Sequence, residues 1–141
     1  MDSPRIIDLP VVTDPRGNLS FIQGGGPLPF EIQRCYWIYD VPGGKVRHGR
    51  ALKRTTELIV ALSGSFDAVI DGVAYHLCRG YQGLLVPPNH WRELVNFSTN
   101  AVALVLADTL YDEADYIRQQ EISEKSEASE PASPVPGACA Q

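Results

Sequence analysis

The chain has 141 residues, 44% of them hydrophobic, which suits one domain with its own core and is too little for two ordinary ones. No apolar run approaches the roughly 20 residues that a helix needs to cross a bilayer, so no membrane segment is predicted. The formal net charge is −5, and residues 119–141 hold four glutamates against one lysine. The rest of the chain is nearly neutral, which argues against nucleic acid as a partner.

The two ends of the chain differ from its middle. The first residues lack the basic start and apolar segment of a secretory signal, so we expect a cytoplasmic protein. From Ser123 onward the composition changes to Ser, Glu, Ala and Pro without an aromatic residue, and such a segment cannot bury enough apolar surface to offset the entropy of ordering. We therefore predict one domain over residues 1–120 and a disordered tail over 121–141.

Short segments rich in β-branched and aromatic residues recur along the domain, each bounded by Gly, Pro, Asn or Asp. This spacing is typical of a β-sandwich or β-barrel. The connectors have turn chemistry, and Asp71-Gly72 is a favoured two-residue hairpin turn. Strands are predicted, in chain order, over residues 5–9, 18–23, 32–39, 47–53, 56–63, 65–70, 73–77, 83–86, 91–96 and 101–107.

The turns also indicate how these strands are arranged. A Gly turn at Ser63-Gly64-Ser65 and a Pro-bearing turn at Pro87-Pro88 flank the Asp71-Gly72 hairpin. This order predicts an all-β fold, a double-stranded β-helix with a jelly-roll-like barrel. One short C-terminal helix is predicted over residues 111–120, because three acidic residues lie near its positive N-terminal end.

A cationic stretch lies in the middle of the chain. Between residues 34 and 54, six basic residues stand against a single acid, Asp40. Such a stretch is either a solvated face or a site for an anionic ligand such as a phosphate. The strand order brings residues 47–53 opposite 91–93, which makes this the candidate working surface. The six residues are Arg34, Lys45, Arg47, Arg50, Lys53 and Arg54.

The same stretch also bears on metal binding. A metal-binding cupin has a His-x-His pair on this strand, a Glu a few residues on and a third His on a later strand, because several N and O donors must converge on one ion. Here Arg50 and Leu52 stand where the two imidazoles would be. A guanidinium is a permanent cation and cannot ligate a metal, so no metal site is predicted.

Three stretches carry a resemblance to a known family. They are Asp14-Pro-Arg-Gly-Asn-Leu19; Arg34-Cys-Tyr-Trp-Ile-Tyr-Asp40 leading to Arg47; and Gly83 through Trp91-Arg-Glu-Leu-Val-Asn-Phe97, with Tyr111-Asp-Glu-Ala-Asp-Tyr-Ile-Arg118. Together, over residues 6–118, they resemble the cupin-type, WxcM-like sugar 3,4-ketoisomerases that act on thymidine diphosphate 4-keto-6-deoxyglucose.

The resemblance implies a reaction of deoxysugar and polysaccharide synthesis. A proton leaves C3 of the sugar, an enediol forms beside the ketone, and a proton arrives at C4. An acid/base group with a pKa near neutrality is the natural carrier, and electrostatic stabilisation of the enediolate supplies much of the rest. The family also implies that no cofactor is needed and that the protein is a homodimer, with exchange of N-terminal strands as one arrangement.

Site residues follow from the resemblance by position. Tyr36 matches the family's active-site tyrosine, and Arg92 matches a position held by Arg or His. Family members typically have the sequence Arg-Gly-x-His-Ala-His on the central strand, where this chain has Arg47-His48-Gly49-Arg50-Ala51-Leu52. The candidate catalytic residues are Tyr36, His48, Arg50 and Arg92, and the candidate substrate-binding residues are Arg16, Arg34, Arg47, Glu57, His90 and Glu93.

The replaced imidazoles leave the proton carrier open. Arg50, with a pKa above about 12, can hold an enediolate but is a poor proton shuttle at pH 7. His48 would share the face of Arg50 in a regular strand. Tyr36 beside Arg50 could have a lowered pKa, and His90 could reach in from the Pro turn. We favour His48 with Tyr36, and expect Glu57 to pair with an arginine.

Two functions therefore compete at this stage. The first is a sugar-nucleotide 3,4-ketoisomerase. The second is a catalytically silent cupin that binds a nucleotide sugar or a partner enzyme. A competent proton carrier facing the pocket is the feature that distinguishes the first from the second.

Overall fold

A computed structural model describes residues 3–117 of the chain, although not the side chains of Arg47 and His48. The predicted tail and the domain boundary at residue 120 lie outside this range. Within it the chain forms twelve strands and one 3-10 turn. The strands are β1 Arg5–Asp8, β2 Val11–Asp14, β3 Gly17–Ser20, β4 Arg34–Tyr39, β5 Arg47–Leu52, β6 Glu57–Ser63, β7 Phe66–Ile70, β8 Val73–Leu77, β9 Gln82–Val86, β10 Arg92–Val95, β11 Val102–Ala107 and β12 Tyr116–Ile117.

Most of the fold is one long hairpin that has been folded over. Its tip is the predicted turn Asp71-Gly72 between β7 and β8, where φ is 50° and 86°. Positive φ at both central residues matches the twist of the two strands. Moving away from the tip, β6 pairs with β9, β5 with β10 and β4 with β11, all antiparallel. This nesting of pairs gives the jelly-roll arrangement.

Two five-stranded sheets result, with the orders β1-β9-β6-β11-β4 and β12-β5-β10-β7-β8. The main core lies between them and includes Ile59 and Val105 from the first sheet and Phe66 from the second. Phe66 stacks on Phe97, which follows β10, with ring centroids 5.2 Å apart. The predicted all-β class and the double-stranded β-helix are confirmed, as two facing sheets that do not close into a barrel.

Strand β6 is buried on both of its faces. Ile59 belongs to the main core, whereas Leu58 and Val60 belong to a second apolar cluster with Leu85 and Leu106. Successive side chains of a strand point to opposite faces, so the continuous apolar run in the sequence is accounted for by cover on both sides. Glu57, the first residue of this strand, is therefore carried into a buried position.

The predicted C-terminal helix is wrong within the described residues. Only Glu113–Asp115 form a 3-10 turn, and Tyr116–Ile117 then pair with β5. The carboxylate of Asp115 accepts hydrogen bonds from the backbone N–H of Arg54 at 2.8 Å and from the hydroxyl of Thr55. These bonds tie the segment to the sheet, which overrides its local helical tendency.

Two further differences concern strands. The predicted strand 18–23 is shorter, running over Gly17–Ser20, and it pairs with Val11–Asp14, which was not predicted. This hairpin is a separate two-stranded sheet. No helix among residues 3–117 is long and apolar enough to cross a membrane.

Candidate active site

Strands β4, β5, β6 and β10 supply the polar side chains of one small pocket, with a cavity volume of about 20 Å³. The expected juxtaposition of the cationic stretch with residues 91–93 is present, because Arg50 lies directly across from Arg92 in the β5–β10 pair. The pocket is lined by the polar Tyr36, Arg50, Glu57, Arg92 and Glu93 and by the apolar Ile38, Ile59, Leu94 and Val105.

Glu57 is the centre of the polar network. Its side chain is 1% exposed, Oε1 accepts from Nη1 of Arg92 at 2.6 Å, and Oε2 accepts from the hydroxyl of Tyr36 at 2.8 Å. Nη2 of Arg50 lies 3.8 Å from Oε2. A buried carboxylate is tolerated when it is paired and hydrogen-bonded in this way. The ion pair expected between Glu57 and an arginine is therefore formed with Arg92.

Arg92 is fixed from two sides. Its side chain is 4% exposed, and besides Glu57 it has the backbone carbonyl of His90, to which Nε and Nη2 donate at 3.4 and 3.2 Å. Hydrogen bonds from a charged donor are stronger than neutral ones. The positive charge of Arg92 thus stands at a set position in the wall of the pocket.

Tyr36 lies between Glu57 and Arg50, whose Nη2 donates to the Tyr36 hydroxyl. Burial raises the pKa of Tyr36 well above its ordinary value, and the negative charge of Glu57 raises it further, which outweighs the opposite effect of Arg50. The expectation that Tyr36 beside Arg50 has a lowered pKa is therefore wrong. The reasons are that burial disfavours the phenolate and that the Glu57 carboxylate accepts the hydrogen bond of the phenol at 2.8 Å.

Arg50 remains cationic in this setting. Burial disfavours the charged form, but the neighbouring Tyr36 and Glu57 more than offset that effect and raise the pKa of Arg50. Its Nε is buried and has no hydrogen-bond acceptor among the described residues. Arg50 can therefore stabilise negative charge but cannot exchange a proton near neutral pH.

Aromatic rings and guanidinium groups alternate in a row that includes Tyr36 and Arg50 of the pocket. We call this row, which runs from Tyr111 through Arg34 to Tyr116, the rim. The Arg34 guanidinium lies 5.7 Å from the centroid of Tyr36 and 5.8 Å from that of Tyr111. The Arg50 guanidinium lies 5.8 Å from the centroid of Tyr36 and 5.4 Å from that of Tyr116. At these distances a ring face attracts a cation. Sequence reasoning missed Tyr116, whose ring faces Arg50, although it belongs to the C-terminal motif that carried the family resemblance.

The two candidate histidines are placed differently. His90 is not among the residues that line the pocket, and its Nδ1 donates to Oδ2 of Asp71 at 2.5 Å. His48 lies where β5 has one residue more than β10, because Arg92 pairs with Arg50 but Leu94 pairs with Arg47. Such a bulge interrupts the alternation of a strand. The face assigned to His48 relied on a regular strand, and its role stays a prediction.

Gly49, beside His48, has a packing role. A Cβ atom at this position would collide with the indole ring of Trp91, so only glycine lets that ring lie against the strand.

Arg16 is at the turn of the β2–β3 hairpin with its side chain 90% exposed, and Nη2 lies 2.7 Å from Asp14. It is not among the lining residues.

No three His, Cys, Asp or Glu side chains cluster as a metal site within residues 3–117. The predicted lack of a metal remains a prediction.

Comparisons with known proteins give a family and a set of relatives. The family model described as FdtA, WxcM-like, C-terminal, matches residues 2–126. A TDP-4-oxo-6-deoxy-alpha-D-glucose-3,4-oxoisomerase of Aneurinibacillus thermoaerophilus is 36% identical over 119 residues, which cover 82% of this chain and 86% of that protein.

Two solved structures are also similar. A 3,4-ketoisomerase of Helicobacter canadensis has a TM-score of 0.82 at 33% identity, covering 91% of this chain and 100% of that chain. A mutant of the 3,4-ketoisomerase QdtA of Thermoanaerobacterium thermosaccharolyticum, solved with TDP-4-keto-6-deoxyglucose, has a TM-score of 0.82 at 30% identity. The match covers 86% of this chain and 91% of that one.

Proposed function

Because the chain belongs to the FdtA family of WxcM-like, C-terminal proteins, we propose that it is an isomerase that moves the keto group between C4 and C3 of a TDP-4-keto-6-deoxyhexose. Family membership carries this proposal. The relatives are named as 3,4-oxo- or 3,4-ketoisomerases, and one of them was solved with TDP-4-keto-6-deoxyglucose. These names give no support to the alternative of a catalytically silent cupin.

The charges of the pocket suit the intermediate of this reaction. When a base takes the C3 proton, a role proposed for His48 on β5, the electron pair of the C3–H bond forms the C3=C4 double bond and the C4 carbonyl oxygen becomes negative. Arg50 and Arg92 place two permanent cations at the wall of the pocket, with Glu57 between them. An oxygen of the enediolate would also supply the acceptor that the buried Nε of Arg50 lacks among the described residues.

The rest of the reaction is a matter of proton transfer. The proton on O3 moves to O4, the C3–O bond becomes the new carbonyl, and C4 receives a proton from a protein group. The candidates are Tyr36, whose hydroxyl borders the pocket, and His48 on β5. The proposal needs no metal and no organic cofactor.

The rim is proposed to bind the nucleotide part of the substrate. Arg34 stands between the rings of Tyr36 and Tyr111, and its Nε is buried without an acceptor among the described residues. A guanidinium held in this way suits a phosphate oxygen, and an aromatic ring suits the thymine base. Arg47, on the same strand as Arg50, is the second candidate for the diphosphate.

A homodimer is proposed as the working form. The β2–β3 hairpin is not hydrogen-bonded to either large sheet, and its Val11, Val12 and Leu19 are 43%, 51% and 58% exposed. An isolated hairpin is marginal in water, so a second copy that covers these side chains would stabilise it. Arg16 at its tip would then be the residue that reaches the partner's substrate. Light scattering on the purified protein checks this, and a monomer would contradict it.

Product analysis tests the activity. The purified protein is incubated with TDP-4-keto-6-deoxyglucose, and the sugar is followed by NMR spectroscopy. We expect the C4 keto group to be replaced by one at C3. An exposed control, Glu31→Gln, should match the unsubstituted protein. A substrate that is recovered unchanged at stoichiometric protein concentration would refute the proposed activity.

A further inference from the structure

The hydroxyl group of Tyr36 is held between one carboxylate and one guanidinium. It donates to Oε2 of Glu57 at 2.8 Å and accepts from Nη2 of Arg50. The other oxygen of Glu57 is bound by Arg92 at 2.6 Å, and the carboxylate is 1% exposed. Because Tyr36 lines the pocket, its hydroxyl is where this buried network can meet a bound sugar.

We propose that Glu57 is a positioning residue that keeps the hydroxyl of Tyr36 protonated, so that Tyr36 meets the enediolate as a proton and hydrogen-bond donor. Without the carboxylate, Tyr36 would have Arg50 in contact and Arg92 close by, and nearby cations favour a phenolate. A phenolate can accept a proton but cannot donate one. The identity of the substrate in this inference rests on the proposed function, whereas the protonation of Tyr36 is a property of the free protein.

The electrostatic effects on Tyr36 agree with this role. Burial raises its pKa most, the charge of Glu57 comes next, and the hydrogen bond to Glu57 adds to it, whereas Arg50 and Arg92 lower it. The substitution Glu57→Gln keeps the burial and both arginines but removes the negative charge. The pKa of Tyr36 must then fall, so the phenolate forms at lower pH.

Ultraviolet titration of the phenolate band measures this directly. Each protein is compared with its own Tyr36→Phe counterpart, and the difference isolates Tyr36 from the other tyrosines. We expect the midpoint of Tyr36 to lie at least about one pH unit lower in Glu57→Gln than in the unsubstituted protein, a tenfold loss in proton affinity. An unchanged or higher midpoint would overturn the role of Glu57. The exposed control Glu31→Gln should leave the midpoint where it was.

Turnover gives a second readout that a merely structural role would not move. In Glu57→Gln we expect the alkaline loss of kcat to shift to lower pH with little change in KM, and Glu57→Asp, which keeps the charge, should restore the alkaline limit. The same alkaline limit in Glu57→Gln and the unsubstituted protein would contradict the inference. If no protein turns over the TDP-sugar, the proposed function fails, and the titration still decides the protonation of Tyr36.

Folding of the variant is controlled separately. Glu57→Gln weakens the partner of a buried arginine, so its circular dichroism spectrum is compared with that of the unsubstituted protein. The double variant Glu57→Gln with Arg92→Gln removes both buried charges. Its Tyr36 midpoint should also fall, because Glu57 raises the pKa of Tyr36 more than Arg92 lowers it. A rise in the double variant would count against the inference.

Discussion

Two arginine–carboxylate pairs in this molecule have nearly the same length and opposite surroundings. Arg92 lies 2.6 Å from Glu57 with side chains 4% and 1% exposed, whereas Arg16 lies 2.7 Å from Asp14 with side chains 90% and 35% exposed. The first pair stands between two sheets at the pocket, and the second stands on the β2–β3 hairpin. Distance therefore does not distinguish them, but access to water does.

The difference decides what each pair can contribute. Water and salt screen the exposed pair, and its long side chains lose freedom when they meet, so little net stabilisation remains. In the buried pair either charge left alone would be costly, and the same low polarity strengthens its effect on Tyr36 and on a bound enediolate. The buried pair thus contributes both to folding stability and to the chemistry of the site, whereas the exposed pair contributes to neither within one subunit.

Breaking the buried pair from one side should have the largest effect. Glu57→Ala leaves Arg92 charged and without its carboxylate, and we expect the free energy of unfolding to fall by about 3–5 kcal/mol. Urea denaturation followed by tryptophan fluorescence measures this. A loss no larger than that caused by an exposed Glu31→Ala would show that burial does not separate the two pairs.

Removing the cation beside Tyr36 should affect turnover more than folding. Arg50→Ala deletes a guanidinium proposed to hold the enediolate, and we expect kcat to fall by about 100-fold, as when one oxyanion-hole donor is lost. The measurement is the rate of isomerisation with TDP-4-keto-6-deoxyglucose at saturating substrate. The converse change, Arg50→His, returns an imidazole to the family's position. Undiminished turnover in Arg50→Ala would remove Arg50 from the mechanism.

A smaller effect appears at alkaline pH. Burial and Glu57 raise the pKa of Tyr36, so the folded protein holds this proton more tightly than the unfolded chain does. Stability from this source is complete below about pH 10, where the unfolded phenol begins to ionise, and declines by about 1.4 kcal/mol per pH unit above it. Tyr36→Phe should lack this part of the decline. Urea midpoints between pH 9 and 11 for the two proteins test it, and parallel curves would contradict it.

The exposed pair should give the smallest effect. Arg16→Ala removes a side chain that is 90% exposed and is ion-paired with Asp14, so we expect no measurable change in the urea midpoint of folding. Repeating the measurement in 0.1 M and 1 M salt sharpens the comparison, since the buried pair is screened less than the exposed one. A clear loss of stability in Arg16→Ala would indicate that the hairpin is anchored through this residue.

The sequence was most informative where one local rule decides the structure. Asp71-Gly72 predicted a hairpin because both residues tolerate positive φ, and that turn is the tip around which all other strand pairs nest. The strand predicted over residues 56–63 is likewise present as β6, whose apolar run is buried on both faces. The class of the fold and the neighbours of Arg50 followed from these elements.

The sequence was least informative where distant residues compete. Residues 111–117 have helical signals, but Asp115 binds Arg54 and Thr55, which lie about sixty positions earlier in the chain. The predicted direction of the Tyr36 pKa shift was wrong because the shift depends first on burial of the phenol and then on the balance between Glu57 and Arg50, which only the structure sets. The bulge at His48 likewise follows from strand register rather than from any local signal.

The pocket of Arg50, Glu57 and Arg92 is proposed to stabilise the enediolate that forms when a base takes the C3 proton of a TDP-4-keto sugar, although the family's usual pair of imidazoles is absent. Incubation of the protein with TDP-4-keto-6-deoxyglucose that carries deuterium at C3 tests this step. We expect the label to leave C3 as fast as the 3-keto product forms. Complete retention of deuterium at C3 over many hours at stoichiometric protein concentration would contradict it.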